Sequence, residues 1–273
     1  MPTTYAHYRF GKEVTEALPR GLQNTIEYHR DLYDIGLHGP DILFYYKALK
    51  SHPVNQQGHT VHENFADTFF EHAVSVIEKA EDPTAARVYI YGVICHFALD
   101  SECHPYIEKM IRESGISHCE LEMEFDRMLM SDDFINPVRH LNTKHIHPTM
   151  RNAKIIAPFF EDVTPEEMQR SLKSMIFYHK LFLVPEPAKR KVLFMAMKAI
   201  GKYDALHGIV MSLEPNPACR EYCMLLKRLY AGAVPLAASL ILQFQKRLFN
   251  GQQLPERFHR TFGAGTDWEK LRL

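Results

Sequence analysis

Cysteine is scarce in this sequence of 273 residues, and no two cysteines stand in a Cys-x-x-Cys pair. The five cysteines are Cys95, Cys103, Cys119, Cys219 and Cys223. An odd number without paired spacing is not typical of a disulfide framework, so we expect reduced thiols. The segment Met1–His7 also lacks the basic start and apolar run of a secretory signal. Both observations predict a cytoplasmic location.

The sequence has no excess of charge of one sign. Lys and Arg number 32 against 33 Asp and Glu, which gives a net charge of −1, and basic residues occur along the whole chain. A protein that holds nucleic acid on its surface usually carries a basic patch or stripe. The composition therefore predicts no basic surface for nucleic acid, although a metal site would still be able to capture a phosphate.

Hydrophobic runs long enough to cross a bilayer are missing as well. The most apolar segment, residues 229–245, carries no charge, but it falls short of the ~20 residues that a membrane helix needs. It also contains Gly232, Pro235 and Ser239. We predict a buried core helix here and no transmembrane segment.

Strand patterns are absent too, and helical periodicity runs through nearly the whole chain. Asp82-Pro83 is typical of a helix start, with Asp as the N-cap and proline in the first turn. The apolar stretch 87–96 follows, so this helix should be central and buried, and Pro105 should end or kink it. Another helix is predicted over about residues 61–79. The fold class predicted is all-α.

Histidine is unevenly distributed. Of the 16 histidines, 13 lie in residues 1–147, and only His179, His207 and His259 follow. Ordinary solvated histidines would not be expected to segregate in this way. The first half of the chain is therefore the predicted location of the chemistry.

Two groups of residues in that half have the spacing of metal ligands. His96, Asp100 and His104 follow one another at intervals of four, which places their side chains in one stripe along a helix. His118 and Glu122 repeat the interval. Imidazole and carboxylate groups one helical turn apart are typical zinc ligands, and Asp100 is placed to bridge two ions. Taken alone, His118 and Glu122 would more often form a surface ion pair.

Two other metal architectures do not match. A di-iron helical bundle needs a pair of Glu-x-x-His motifs, and the chain has one, Glu256-Arg257-Phe258-His259, far from the cluster. A phosphohydrolase of the HD type needs adjacent His and Asp, a dipeptide that the sequence lacks.

In its motifs the chain resembles the zinc-dependent phospholipase C family, whose fold is shared with P1-type nucleases. The resembling segments occur in the family's order within residues 1–130. They are Tyr5-Ala6-His7, Gly39-Pro40-Asp41, Gly58-His59-Thr60-Val61-His62, His96-x3-Asp100-x3-His104 and His118-x3-Glu122. The resemblance implies a phospholipase C/P1 nuclease-like multi-helix bundle. Residues 1–150 would be its zinc-binding core, and residues 151–273 a helical C-terminal extension packed on it as one compact unit.

The resemblance also implies the cofactor, two or three zinc ions, and their ligands. The first ion would be held by Asp41, His62, His96 and Asp100. The second would be held by His104, His118 and Glu122. The third would be held by His7 and Asp100, with the N-terminal amine completing it; here Pro2 would have to supply that amine. His59 stays an alternative to His62, while His38 and His52 are expected to line the cleft.

The implied activity is phosphodiester hydrolysis, with Asp41 as the catalytic residue that orients or deprotonates the attacking water. A phospholipid is the substrate that the family suggests. A P1-type nuclease, with Phe44, Tyr45 and Tyr46 stacking a base, and a soluble phosphoesterase are alternatives. A structural zinc protein without catalysis is the second alternative.

Overall fold

The computed structural model describes residues 4–273, which form twelve α-helices, several short 3₁₀ segments and no strand. The helices are α1 (Thr4–Ala17), α2 (Arg20–Tyr28), α3 (Arg30–Gly36), α4 (Pro53–Glu63), α5 (Ala66–Lys79), α6 (Pro83–Ser114), α7 (His118–Asp132), α8 (Met150–Ile156), α9 (Pro165–Phe182), α10 (Pro187–Ala199), α11 (Tyr203–Leu206) and α12 (Arg220–Asn250). The prediction of an all-α fold is confirmed.

Helix α6 is the centre of the bundle. The Asp82 carboxylate accepts the backbone N–H of Ala85, as the predicted N-cap requires. The helix is buried along most of its length and packs against α3, α12, α5 and α1. The sequence predicts that Pro105 ends or kinks the helix; it does not end it, because α6 continues to Ser114. Packing on several sides outweighs the roughly 3 kcal/mol that an internal proline costs.

Helices α3 and α6 touch through their backbones at two glycines. A Cβ added to Gly36 would lie 2.2 Å from the carbonyl oxygen of Tyr89, and one added to Gly92 would lie 2.3 Å from that of Tyr33. No side chain fits between helices at this distance. The contact holds the 3₁₀ segment Gly39–Tyr45, which carries Asp41, against α6.

Replacing Gly92 with alanine is therefore expected to lower the free energy of unfolding by about 1–3 kcal/mol or more, because the two backbones must move apart. Thermal unfolding measures the change. Gly21→Ala on α2 is the matched control, since a Cβ there meets no atom within 4 Å. An unfolding midpoint for Gly92→Ala equal to that of the control would contradict the close backbone contact.

The predicted helix over residues 61–79 is wrong in one respect, because the chain breaks it at residues 64 and 65. The C-terminal segment pairs with the break: Ala66 N–H donates to the carbonyl of Arg260, and Gly263 N–H donates to that of His62. Phe65 and Thr261 form an isolated antiparallel bridge beside them. These long-range hydrogen bonds replace the helical ones, and they position His62 at the end of α4.

Helix α12 contains the apolar stretch discussed above. By length and composition alone, residues Pro217–Asn250 would suffice to cross a membrane, a test that core helices also meet. In the folded chain α12 packs against α6, α1 and α7, and Leu226, Ala233 and Ile241 are fully buried. One face of α12 is therefore part of the core, while 39% of its most apolar stretch is buried.

The main hydrophobic core draws residues from both halves of the chain, from Tyr5 to Phe262. A second, small cluster of Val184, Met197 and Val210 lies under α10 and α11. A division of the chain near residue 150 stays a prediction.

Candidate metal centre

The eight residues proposed as ligands converge in the interior from five segments of the chain. They come from α1 (His7), the 3₁₀ segment Gly39–Tyr45 (Asp41), α4 (His62), α6 (His96, Asp100, His104) and α7 (His118, Glu122). Three compact groups result: His7, His96 and Asp100; Asp41, His62 and His96; and His104, His118 and Glu122. Within each group the candidate ligand atoms all lie within 4.8 Å of one another.

Asp100 contacts residues of all three groups. Its Oδ1 is 3.1 Å from His7 Nε2, and its Oδ2 is 3.0 Å from His96 Nε2 and 3.6 Å from His104 Nδ1. Burial opposes ionisation of this carboxyl, but the three histidines hold its pKa well below the usual range. An ionised carboxylate whose two oxygens face different histidines is the geometry that a bridging ligand requires.

Asp41 and His62 meet beside this carboxylate, with Asp41 Oδ1 3.1 Å from His62 Nε2. Burial would raise the pKa of Asp41, but the adjacent imidazoles of His62 and His96 contribute to a pKa below the usual range. His59, the alternative to His62, is exposed and packs its ring on Phe44. The structure therefore brings His62, and not His59, to Asp41.

His118 and Glu122 are not a surface ion pair. The side chain of Glu122 is only 4% exposed, and its Oε1 lies 3.0 Å from His118 Nε2 and 3.5 Å from His104 Nε2. Burial lowers the pKa of His104, but the carboxylates of Asp100 and Glu122 outweigh it and raise the pKa to about 9. The group therefore attracts positive charge, which a metal cation would supply.

The third group depends on the position of α1. His7 is buried, and its ring stacks on that of His96 at 4.3 Å. The buried carboxylate of Asp126, which the sequence analysis did not single out, accepts the backbone N–H groups of Tyr5 and Ala6 and so anchors this end of α1. Pro2, the proposed source of the amine ligand, lies outside the described residues.

Backbone carbonyls orient three of the imidazoles. His62 Nδ1 lies 2.6 Å from the carbonyl oxygen of Gly58, and His104 Nδ1 lies 2.8 Å from that of Phe262. His96 Nδ1 makes the same contact with Leu37 at 3.2 Å. A carbonyl accepts a hydrogen bond only from a protonated Nδ1. In the neutral ring the lone pair is then on Nε2, which leaves this nitrogen free to bind a metal.

The contacts inside the centre fit a shared cation better than hydrogen bonds. The buried Nε2 atoms of His62, His96 and His118 lack a well-aligned hydrogen-bond partner, although each lies 3.0–3.1 Å from a carboxylate oxygen. Two ligands on a tetrahedral zinc with bonds of about 2.0–2.1 Å are about 3.3 Å apart. Nitrogen and oxygen donors at this spacing suit zinc.

A cavity of about 790 Å³ adjoins the centre. His62, His104 and His118 lie in its wall, which is otherwise mostly apolar. One part of the wall comes from Phe44, Leu49 and Met123 in the first half. Another part is formed by residues far along the chain: Tyr178, Phe182, Leu183, Leu206, Ile209 and Met211.

Other histidines have different surroundings. His38 is buried with its Nε2 2.7 Å from Nε2 of His145, and His52 caps α4 by accepting the N–H of Val54. His179 lies in the cavity wall and shares a hydrogen bond with the Tyr45 hydroxyl. Sequence reasoning missed His145 and His179, because neither belongs to a motif with ligand spacing.

Comparison with known proteins agrees with this geometry. Searches of curated proteins and of solved structures gave no match. The family model described as "Zinc dependent phospholipase C" matches residues 6–175, well over half of the chain, and this range contains all eight converging residues. The buried histidine and carboxylate groups are compatible with the zinc that this family uses. The chain therefore belongs to the zinc-dependent phospholipase C family.

Proposed function

We propose that this protein hydrolyses a phosphodiester bond of a phospholipid, with the phosphate at the metal centre and an acyl chain in the adjoining cavity. The observation that carries the proposal is that the metal centre opens directly onto the cavity. His62, His104 and His118 belong to the centre and also line this large, mostly apolar cavity. Ligand cavities of roughly 300–1,000 Å³ enclose most of a bound small molecule.

The proposed roles combine the three groups with the ligand sets that the family resemblance implies. Asp41, His62, His96 and Asp100 would hold one zinc; His104, His118 and Glu122 a second; and His7 with Asp100 part of a third site. Zinc held by these residues would stabilise the charge that develops on the phosphate and would lower the pKa of the attacking water. Asp41, ionised and beside His62, accepts the proton of that water.

The aromatic residues that follow Asp41 favour a lipid over a nucleic acid as the substrate. Of the three side chains considered for base stacking, Tyr45 and Tyr46 are buried with their hydroxyls directed to His179 and Glu167. Only Phe44 is partly open, and it already packs on His59 and His62. A nuclease usually stacks successive bases on several open aromatic faces.

A purely structural role for zinc is also less well supported. Structural zinc sites are closed by four protein ligands. The second group offers three, and the side chain of His118 is 37% exposed at the cavity. This arrangement leaves a position for a water molecule or a substrate oxygen.

A panel of substrates tests the proposal. We expect the purified protein to hydrolyse a short-chain phosphatidylcholine and, more slowly, a chromogenic phosphodiester. A chelator should reduce both rates by at least about a hundredfold, and added zinc should restore them. An oligonucleotide and a phosphomonoester complete the panel. Faster cleavage of either would replace the phospholipid with that substrate, and zinc binding without any hydrolysis would support the structural alternative.

A cytoplasmic location stays a prediction. The five cysteines are free thiols, four of them buried, which is compatible with a reducing compartment.

A further inference from the structure

The near-zero net charge of the chain conceals a strongly basic segment. Residues 177–202 contain six Lys or Arg and a single acidic residue, Glu186, whereas the whole chain has a net charge of −1. This segment comprises the end of α9, the whole of α10 and the turn after it. Basic residues therefore outnumber acidic ones in this segment, whereas the two are nearly equal in number over the whole chain.

Helix α10 presents an apolar stripe to solvent. Ala188, Val192, Met195 and Ala199 are exposed, and at 100° per residue they fall within about 60° of one another around the helix. The side chains of Val192 and Met195 are 62% and 52% exposed. The opposite face, with Met197 at its centre, packs into the small cluster with Val184 and Val210.

Lysines border this stripe on both sides. Lys191 and Lys198 lie on one flank, and Lys189 lies on the other. All three are exposed, and Lys189 is paired only with nearby Glu186, at 3.4 Å. Apolar side chains flanked by lysines are typical of a helix that lies in the interface of an anionic membrane.

The same part of the chain forms a wall of the cavity. Phe182 and Leu183, which precede α10, and Lys202 and Leu206, which follow it, line the cavity beside the metal centre. On α9, Phe177 and, one turn later, Leu181 are also exposed, Phe177 at 59%. Residues that the substrate would contact therefore stand both just before and just after the exposed apolar surface in the sequence.

We propose that α10 docks the protein on the surface of an anionic phospholipid membrane, with Val192 and Met195 inserted among the acyl chains and the lysines at the headgroups. Aliphatic side chains at the centre of the stripe favour lipid over nucleic acid, whose bases stack on aromatic rings. The apolar contribution and the electrostatic attraction act together, so binding should weaken as salt is raised.

Co-sedimentation with vesicles tests this docking. The full-length protein should bind vesicles of phosphatidylglycerol and phosphatidylcholine better than vesicles of phosphatidylcholine alone. The double variant Val192→Asp/Met195→Asp should bind the anionic vesicles at least about tenfold more weakly, and so should Lys191→Glu/Lys198→Glu. The matched control is Leu213→Asp/Met224→Asp, which changes two exposed apolar residues outside α10 and should bind like the wild type.

Equal binding by all four proteins, or no preference for anionic vesicles, would overturn the docking proposal, as would preferential binding to DNA fragments over vesicles. All exchanged side chains are exposed, and thermal unfolding confirms that each variant is folded. Vesicle binding is measured with chelator present, so it does not depend on hydrolysis. Hydrolysis of a soluble chromogenic phosphodiester should be the same in all four proteins, which separates failure of docking from failure of the proposed activity.

Discussion

Asp100→Asn is expected to lower the affinity for zinc by at least about a hundredfold and to remove measurable hydrolysis. The two oxygens of Asp100 face His7, His96 and His104 at 3.0–3.6 Å, so this carboxylate contacts residues of all three groups. An amide keeps the shape but loses the charge. Loss of an outer-shell partner alone costs about 10–100-fold in metal affinity, and loss of a shared ligand should cost more. Zinc content by mass spectrometry and the rate of phosphodiester hydrolysis measure the two effects.

Glu113→Gln is the control for this prediction, because Glu113 lies on the same helix, is exposed and is paired only with Lys109. It should keep the zinc content and rate of the wild type. If Asp100→Asn retained the same zinc per chain as this control, Asp100 would not be a ligand, and the bridging role would have to be abandoned.

Asp41→Asn should separate catalysis from metal binding. Turnover is expected to fall by about 10²–10⁴-fold, because the amide cannot take up the proton of the attacking water. Most of the zinc should remain, since His62, His96 and Asp100 are left around the first position. Hydrolysis of a chromogenic phosphodiester and zinc content, measured on the same sample, give the two quantities.

Either of two results would remove the catalytic role of Asp41. Hydrolysis at the rate of the wild type would exclude it directly, and loss of zinc in proportion to activity would make Asp41 a ligand alone. His59→Gln serves as the comparison for the metal. His59 is exposed and packs on Phe44, so this variant should keep its zinc, whereas His62→Gln should not.

Helix α6 illustrates how far local sequence reasoning reaches. The cap at Asp82, the apolar stretch and the interval of four between His96, Asp100 and His104 all depend on residues within a few turns of one another. Such features depend only on the geometry of the helix itself, so they are the same wherever the helix packs in the fold. The end of α6 could not be inferred from Pro105, because whether a helix continues past a proline depends on what packs around it.

The second coordination layer of the centre could not be predicted from sequence. The carbonyl that orients His104 belongs to Phe262, 158 residues away, and the one that orients His96 belongs to Leu37. Any residue has a carbonyl oxygen, so side-chain identity carries no signal for this role. The same holds for the break between α4 and α5, which depends on hydrogen bonds from the C-terminal segment.

The sequence by itself determined the all-α class and, through ligand type and helical spacing, the five candidates His96, Asp100, His104, His118 and Glu122, because these are local properties. The family resemblance of its motifs added His7, Asp41 and His62. Only the tertiary structure decided that His62 and not His59 meets Asp41, that Glu122 is buried, and that a cavity adjoins the centre. It also decided that residues of α9 and α11 line that cavity, and that α10, between them in the chain, keeps a basic face exposed. Contacts between distant segments depend on how the whole core packs, which no local pattern specifies.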